Sequence, residues 1–283
     1  MKRTTRLILA VLLLTLVLTG GWRIGQAHAT PSTTYWTPAT MDVQPFGVWH
    51  LGIDNYFDVG RSNSSNISST GTALPLAFPT DVGLTVGILP FTKVNMEAGV
   101  DMLAPIQFIC GALKDCPSVG DSLLFNSKIG IPEGALFTES PGINLGIFNV
   151  GTVKNVTNMD IGDLIIGKTI PVVGRLHIGG YLGNAGSALM HEGGTLAGPV
   201  KNTGVMVGYD RGFVPVKDKD GNEYSKFILA ADYASGKNFI GGGGVGVYFF
   251  FTKDVSVLTG PVWFNDQDIN GRWKMTTQLD INF

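Results

Sequence analysis

Histidines, carboxylates and cationic side chains recur in this chain at alternate positions of short segments. Beyond residue 29 the histidines are His50, His177 and His191. They are the natural general bases for nucleophilic chemistry, with Ser as nucleophile and an acid or amide as orienting group. No GxSxG or comparable setting accompanies them, so no catalytic residue is assigned and the chain is not expected to be an enzyme. Asp266, Asp268 and Asn270 copy the first half of a calcium loop, but the twelfth position is Thr277 where a Glu is needed. Asp218 to Glu223 is similar in composition. Both stretches suit turns, where Asp, Asn and Gly fit the backbone. No metal or cofactor is expected beyond weak calcium binding at Asp266, Asp268 and Asn270.

The ends of the chain set the compartment. Lys2, Arg3 and Arg6 precede an apolar run from Leu7 to Thr19, and Gln26-Ala27-His28-Ala29 supplies small residues two apart. Residues 1–29 read as a cleaved secretory signal peptide. The alternative, a membrane anchor, needs about 20 apolar residues, and the run falls short even with Gly20, Gly21 and Trp22. Of the 20 basic residues, Lys2, Arg3, Arg6 and Arg23 lie in this leader, which leaves 16 against 22 acidic ones. A net charge of −6 without a basic cluster argues against nucleic acid as a partner. Export places Cys110 and Cys116 in an oxidising space, where a disulfide closing a tight loop is expected. A zinc half-site is the alternative, though no His lies near.

The elements that position the polar residues have a period of two. Trp49, Leu51, Ile53 and Phe57 alternate with His50, Gly52 and Asp54. Val82, Leu84, Val86 and Ile88 alternate with Asp81, Gly83, Thr85 and Gly87, and Val94 to Met102 repeats the pattern around Asn95, Glu97, Gly99 and Asp101. Pro90-Phe91-Thr92 joins the last two as a hairpin. Similar segments continue to Phe283, about twelve in all. Long polar connections near 59–80, 103–121, 150–158, 184–202 and 235–241 alternate with short ones at 90–92, 170–173 and 252–254. The stretch Val214-Pro215 to Tyr224 breaks that alternation. In the last segment Trp273, Met275, Thr277, Leu279, Ile281 and Phe283 share one face, and Lys274, Thr276, Gln278 and Asp280 share the other.

An exported chain of about twelve two-faced strands, rich in glycine and ending in QLDINF, resembles the bacterial outer-membrane β-barrel proteins. The resemblance covers the chain after the leader and rests on pattern alone. It implies an all-β fold: a transmembrane antiparallel up-and-down barrel of about 12 strands over residues 46–283, with 30–45 as a short periplasmic segment. It also implies that Trp273, Leu279, Ile281 and Phe283 form the C-terminal signal read by the barrel-insertion machinery. Lipid offers the backbone no hydrogen-bond partner, so strands cross it only in closed barrels, apolar face outward. A secreted β-sandwich is the competing fold, but it would carry more Lys and Glu on its wet rows.

In a barrel the polar rows face the lumen. His50, Asp54, Glu97, Asp101, Lys128, Arg175, His177, Lys226, Asp232, Lys274 and Asp280 are then the lumen-lining candidates. A mixed-charge lumen selects solutes, which predicts a passive channel or small-solute porin with outer-membrane lipid and small solutes as partners. Glycines such as Gly83, Gly87 and Gly99 favour an open, narrow passage. The alternatives are a closed barrel with a structural or adhesive role in loops 59–80 and 103–121, and a lipid hydrolase.

Overall fold

The structure, a computed structural model, describes residues 33–57, 80–104 and 123–283. The leader, Cys110, Cys116 and nearly all of the loops expected at 59–80 and 103–121 lie outside them. The described residues form twelve strands: β1 (Trp49–Phe57), β2 (Thr80–Gly87), β3 (Asn95–Ala104), β4 (Leu123–Ile131), β5 (Gly142–Gly151), β6 (Asn158–Ile170), β7 (Gly174–Leu182), β8 (Thr203–Lys217), β9 (Glu223–Ala234), β10 (Gly242–Thr252), β11 (Val255–Phe264) and β12 (Trp273–Asn282). Each pairs antiparallel with its sequence neighbours, and β1 closes on β12 from His50↔Asn282 to Phe57↔Met275. Closure removes the sheet edges, which would otherwise expose unpaired backbone groups.

The barrel is inside out relative to a water-soluble protein. In β12, Lys274 is 1% exposed while its neighbour Trp273 is 36% exposed. Thr276, Gln278 and Asp280 are buried on the same inner row, and His50, Glu97, Lys128, Arg175 and Asp210 join them from other strands. Leu145, Leu164, Ile178, Leu182 and Val205 stand exposed outside. Trp263 and Trp273 pair in register at one rim. At the other rim Trp49 and Phe283 exchange backbone hydrogen bonds of 2.8 and 3.0 Å.

The inner row is not polar throughout. Leu124, Met159, Ile161, Ile165 and Met206 face inward towards the end that carries the 183–202 loop, and Leu189, Met190, Ile240 and Ile269 cover them from the loops. Burial under the loops favours apolar side chains there, because an unpaired buried polar group costs free energy.

The connections sort into two ends. Loops 152–157, 183–202, 235–241 and 265–272 share one end, at which β1 and β3 also finish. Connections 88–94, 132–141, 171–173, 218–222 and 253–254 share the other, with both the entry to β1 and the end of β12. The expected break at Val214-Pro215 is absent: β8 runs on to Lys217 and turns at 218–222. Val214 takes φ 56, and the ladder passes from Phe213↔Phe227 to Pro215↔Ser225. The register is unchanged across Val214, and Pro215, close to the end of β8, has no N–H to give the ladder. At the same end, connection 132–141 is tied to β6 through Glu133. Its carboxylate accepts from Thr169 Oγ1 at 2.6 Å and pairs with Lys168 at 2.9 Å. Burial alone would raise the Glu133 carboxyl, but these partners outweigh it and hold the group below its ordinary value.

Candidate functional site: the barrel lumen

The lumen is occupied by the chain's own N-terminal segment. Sequence reasoning places residues 30–45 outside the barrel as a periplasmic tail; the structure places the described part, from residue 33 onward, within it. Proline and threonine give this segment no regular structure, so its backbone groups need other partners. The inner wall supplies them.

Asp232 of β9 holds the tip. Its Oδ2 accepts from the backbone N–H groups of Tyr35, Trp36 and Thr37 at 3.0, 2.8 and 2.7 Å, and from Thr37 Oγ1 at 3.0 Å. Thr34 N–H donates to Thr37 O at 3.1 Å, closing a turn. Trp36 meets Tyr56 and Phe264 edge-on, with ring centroids 5.2 and 5.1 Å apart. Its Nε1 donates to Ile240 O at 3.0 Å. Tyr248 on β10 donates to Thr34 O at 3.1 Å, and Gln278 on β12 to Tyr35 O at 3.1 Å.

A second set of anchors lies nearer the turn end. Met41 N–H donates to His177 Nδ1 at 3.1 Å, and His177 Nε2 faces Asp210 Oδ2 at 3.1 Å. Arg175 bridges Asp42 at 2.7 Å and Asp210 at 2.8 Å. Asn144 donates to Thr40 O at 2.6 Å. Gln44 N–H donates to Glu97 at 2.5 Å, and Lys128 lies 3.7 Å from the same carboxylate. Hydrogen bonds to charged groups contribute about 1.5–3 kcal/mol each when well formed.

Glycine makes room for the segment. A Cβ on Gly244, Gly246 or Gly260 would run into Tyr35. One on Gly208 would meet Ala39, on Gly142 or Gly167 Met41, on Gly130 Val43, and on Gly87 Pro45. The expectation that lumenal glycines leave an open passage is therefore corrected. Gly87 accommodates the segment, Gly83 accommodates Asp101, and Gly99 accommodates Thr85 and Asn126.

His50, Asp54, Glu97, Asp101, Lys128, Arg175, His177, Asp232, Lys274 and Asp280 all sit on the inner row. Glu97, Lys128, Arg175, His177 and Asp232 engage the segment. His50 instead pairs with Asn282 at 3.0 Å and Asp280 at 3.4 Å. Asp54 stands in register with Asp81 and Gln278, and Asp101 accepts from Asn126 at 2.6 Å. Lys226 is a correction: its Nζ reaches the outer surface, 4.7 Å over the Phe249 ring, and donates to Phe251 O. It sits near a turn, where a long side chain escapes along the aromatic rim.

Asp42, Gln44, Asn144 and Asp210 were missed. Asp210 was legible, since it continues the alternation of Gly204, Met206 and Gly208. Asp42 and Gln44 lie in a stretch without periodicity, so no pattern marked them.

The remaining candidates serve the loops. Asp266 accepts from Asp268 N–H at 3.1 Å and from Gly193 N–H at 2.7 Å, and Asn270 donates to Phe239 O at 2.7 Å. These side chains join loop 265–272 to its neighbours. Among the described residues no three His, Cys, Asp or Glu side chains converge as a metal site would. His191 lies between Gly198 O and Ala185 O, each 2.8 Å from a ring nitrogen.

No family model matches the chain, and no curated protein matches it. Among solved structures it is similar to a mutant of the Rh. blastica porin, with a TM-score of 0.37 and 12% identity over 72% of this chain and 55% of the porin. It thus spans about half of that porin's length. A structure titled "Asymmetric conductivity of engineered proteins" aligns with a TM-score of 0.39 and 11% identity, over 90% of this chain and 68% of that one. Outer membrane phospholipase A from Escherichia coli aligns with a TM-score of 0.44 and 9% identity, over 89% and 98%. The barrel assignment rests on the strand pairing itself.

Proposed function

We propose that this protein is an outer-membrane β-barrel serving as a small-solute channel, closed in this conformation by its own N-terminal segment. One observation carries the reading: the glycine-lined track through the polar interior is filled by residues 34–45 rather than by side chains of the wall. A barrel meant only to be solid could fill that volume from its strands, as small barrels do. The exposed apolar girdle fits lipid, and the C-terminal Phe283 fits an insertion signal. The protein is read as a non-enzyme: in all three described histidines both ring nitrogens already face hydrogen-bond or ion-pair partners.

The dense anchoring of the segment favours a second reading, a permanently closed structural barrel. Liposome swelling separates the two. A variant lacking residues 33–44, folded as judged by heat-modifiable gel migration, should admit small sugars. Swelling no faster than in protein-free liposomes would reject the channel.

A further inference from the structure

We propose, resting on the channel reading, that the N-terminal segment is a proton-released gate with His177 as its trigger. The anchor at Met41 is directional. A backbone N–H can only donate, so His177 Nδ1 must accept, and Nε2–H then donates to Asp210. This fixes the neutral Nε2–H tautomer while the segment is seated. A proton added at Nδ1 puts a second N–H against the Met41 N–H, 3.1 Å away in the seated state.

The surroundings decide which partner moves. Asp210 on β8 faces Nε2 and holds an imidazolium in place. Arg175, on β7 with His177, faces Asp210 and Asp42 and adds like charge to the protonated state. Gly167 on β6 brings no charge, and its missing side chain lets the imidazole lie against the wall. The ring is therefore fixed on two strands, whereas the described stretch 34–45 has no strand of its own. The segment yields first. Its release uncovers the glycine track from Gly87 through Gly130, Gly142 and Gly167 to Gly208, on which it lay.

The test is open probability in planar bilayers for wild type, His177→Gln and the variant lacking 33–44. Glutamine keeps an acceptor for Met41 and a donor for Asp210 without titrating. Wild type should open about tenfold more often as pH falls from about 7.5 to about 5.5. His177→Gln should stay within about threefold over the same range, and the deletion should be open throughout. A wild type that does not respond to acid, or a His177→Gln variant that responds equally, overturns the gate. Acrylamide quenching of Trp36, with Trp22, Trp49, Trp263 and Trp273 replaced by Phe, reads the segment without reference to conductance. Quenching that rises in acid in a deletion-silent barrel keeps the latch and rejects the channel. Quenching unchanged by acid rejects the latch.

Discussion

At the scale of single residues, one carboxylate does more than any other to seat the segment. Asp232 Oδ2 collects three consecutive backbone N–H groups and a hydroxyl. Replacement by Ala leaves those donors in a buried site without their acceptor, at about 1–3 kcal/mol for each group that finds no other partner. Asp232→Ala should therefore lower stability in detergent by about 3 kcal/mol, and Asp232→Asn, which keeps a carbonyl acceptor, by clearly less. Equal denaturant midpoints for Asp232→Ala and wild type would contradict this role. Asp232 was legible in the sequence as an inward residue, because it alternates with Ala230 and Ala234 on β9. Its partners were not: they lie almost 200 positions away, in a stretch whose Pro and Thr content suggests only a tail.

At the scale of the strand, the alternation of apolar and polar residues located the barrel wall and most of its inward charges. It failed where the wall meets something other than lipid or water. Ile161 and Ile165 face inward in an apolar cluster that Leu189 and Met190 of loop 183–202 join, an association no local pattern encodes. Lys226 follows the inward parity but escapes over Phe249 because it is near a turn. The stretch from Val214-Pro215 to Tyr224 reads as a long connection, yet β8 runs through Pro215 to Lys217 in unbroken register, with Val214 at φ 56. A β-branched residue at φ 56 is strained, because its Cβ crowds the backbone in the left-handed region. Val214→Gly relieves that strain at some cost in unfolded-chain entropy, so stability should rise by about 1 kcal/mol. A fall in the urea midpoint would show that Val214 contributes packing that outweighs its backbone.

At the scale of the whole molecule, two separate surfaces are written into one chain. The outer face is apolar and bordered by aromatic residues; the inner face mixes polar rows with apolar clusters and is notched with glycine. Composition revealed the abundance of glycine but not its purpose, since an empty passage and a fitted groove require the same missing side chains. The segment resolves that ambiguity: Tyr35, Ala39, Met41, Val43 and Pro45 each lie against glycine of the wall. The central claim is that residues 34–45 fill the lumen of the folded barrel. Hydrogen–deuterium exchange on the barrel in detergent micelles at neutral pH tests it most directly. The amides of Tyr35, Trp36, Thr37, Met41 and Gln44 donate to Asp232, His177 and Glu97 and should exchange at least about a hundredfold more slowly than in an unstructured peptide. Exchange of those five amides at the rate of a free peptide, with the strands still protected, would contradict it.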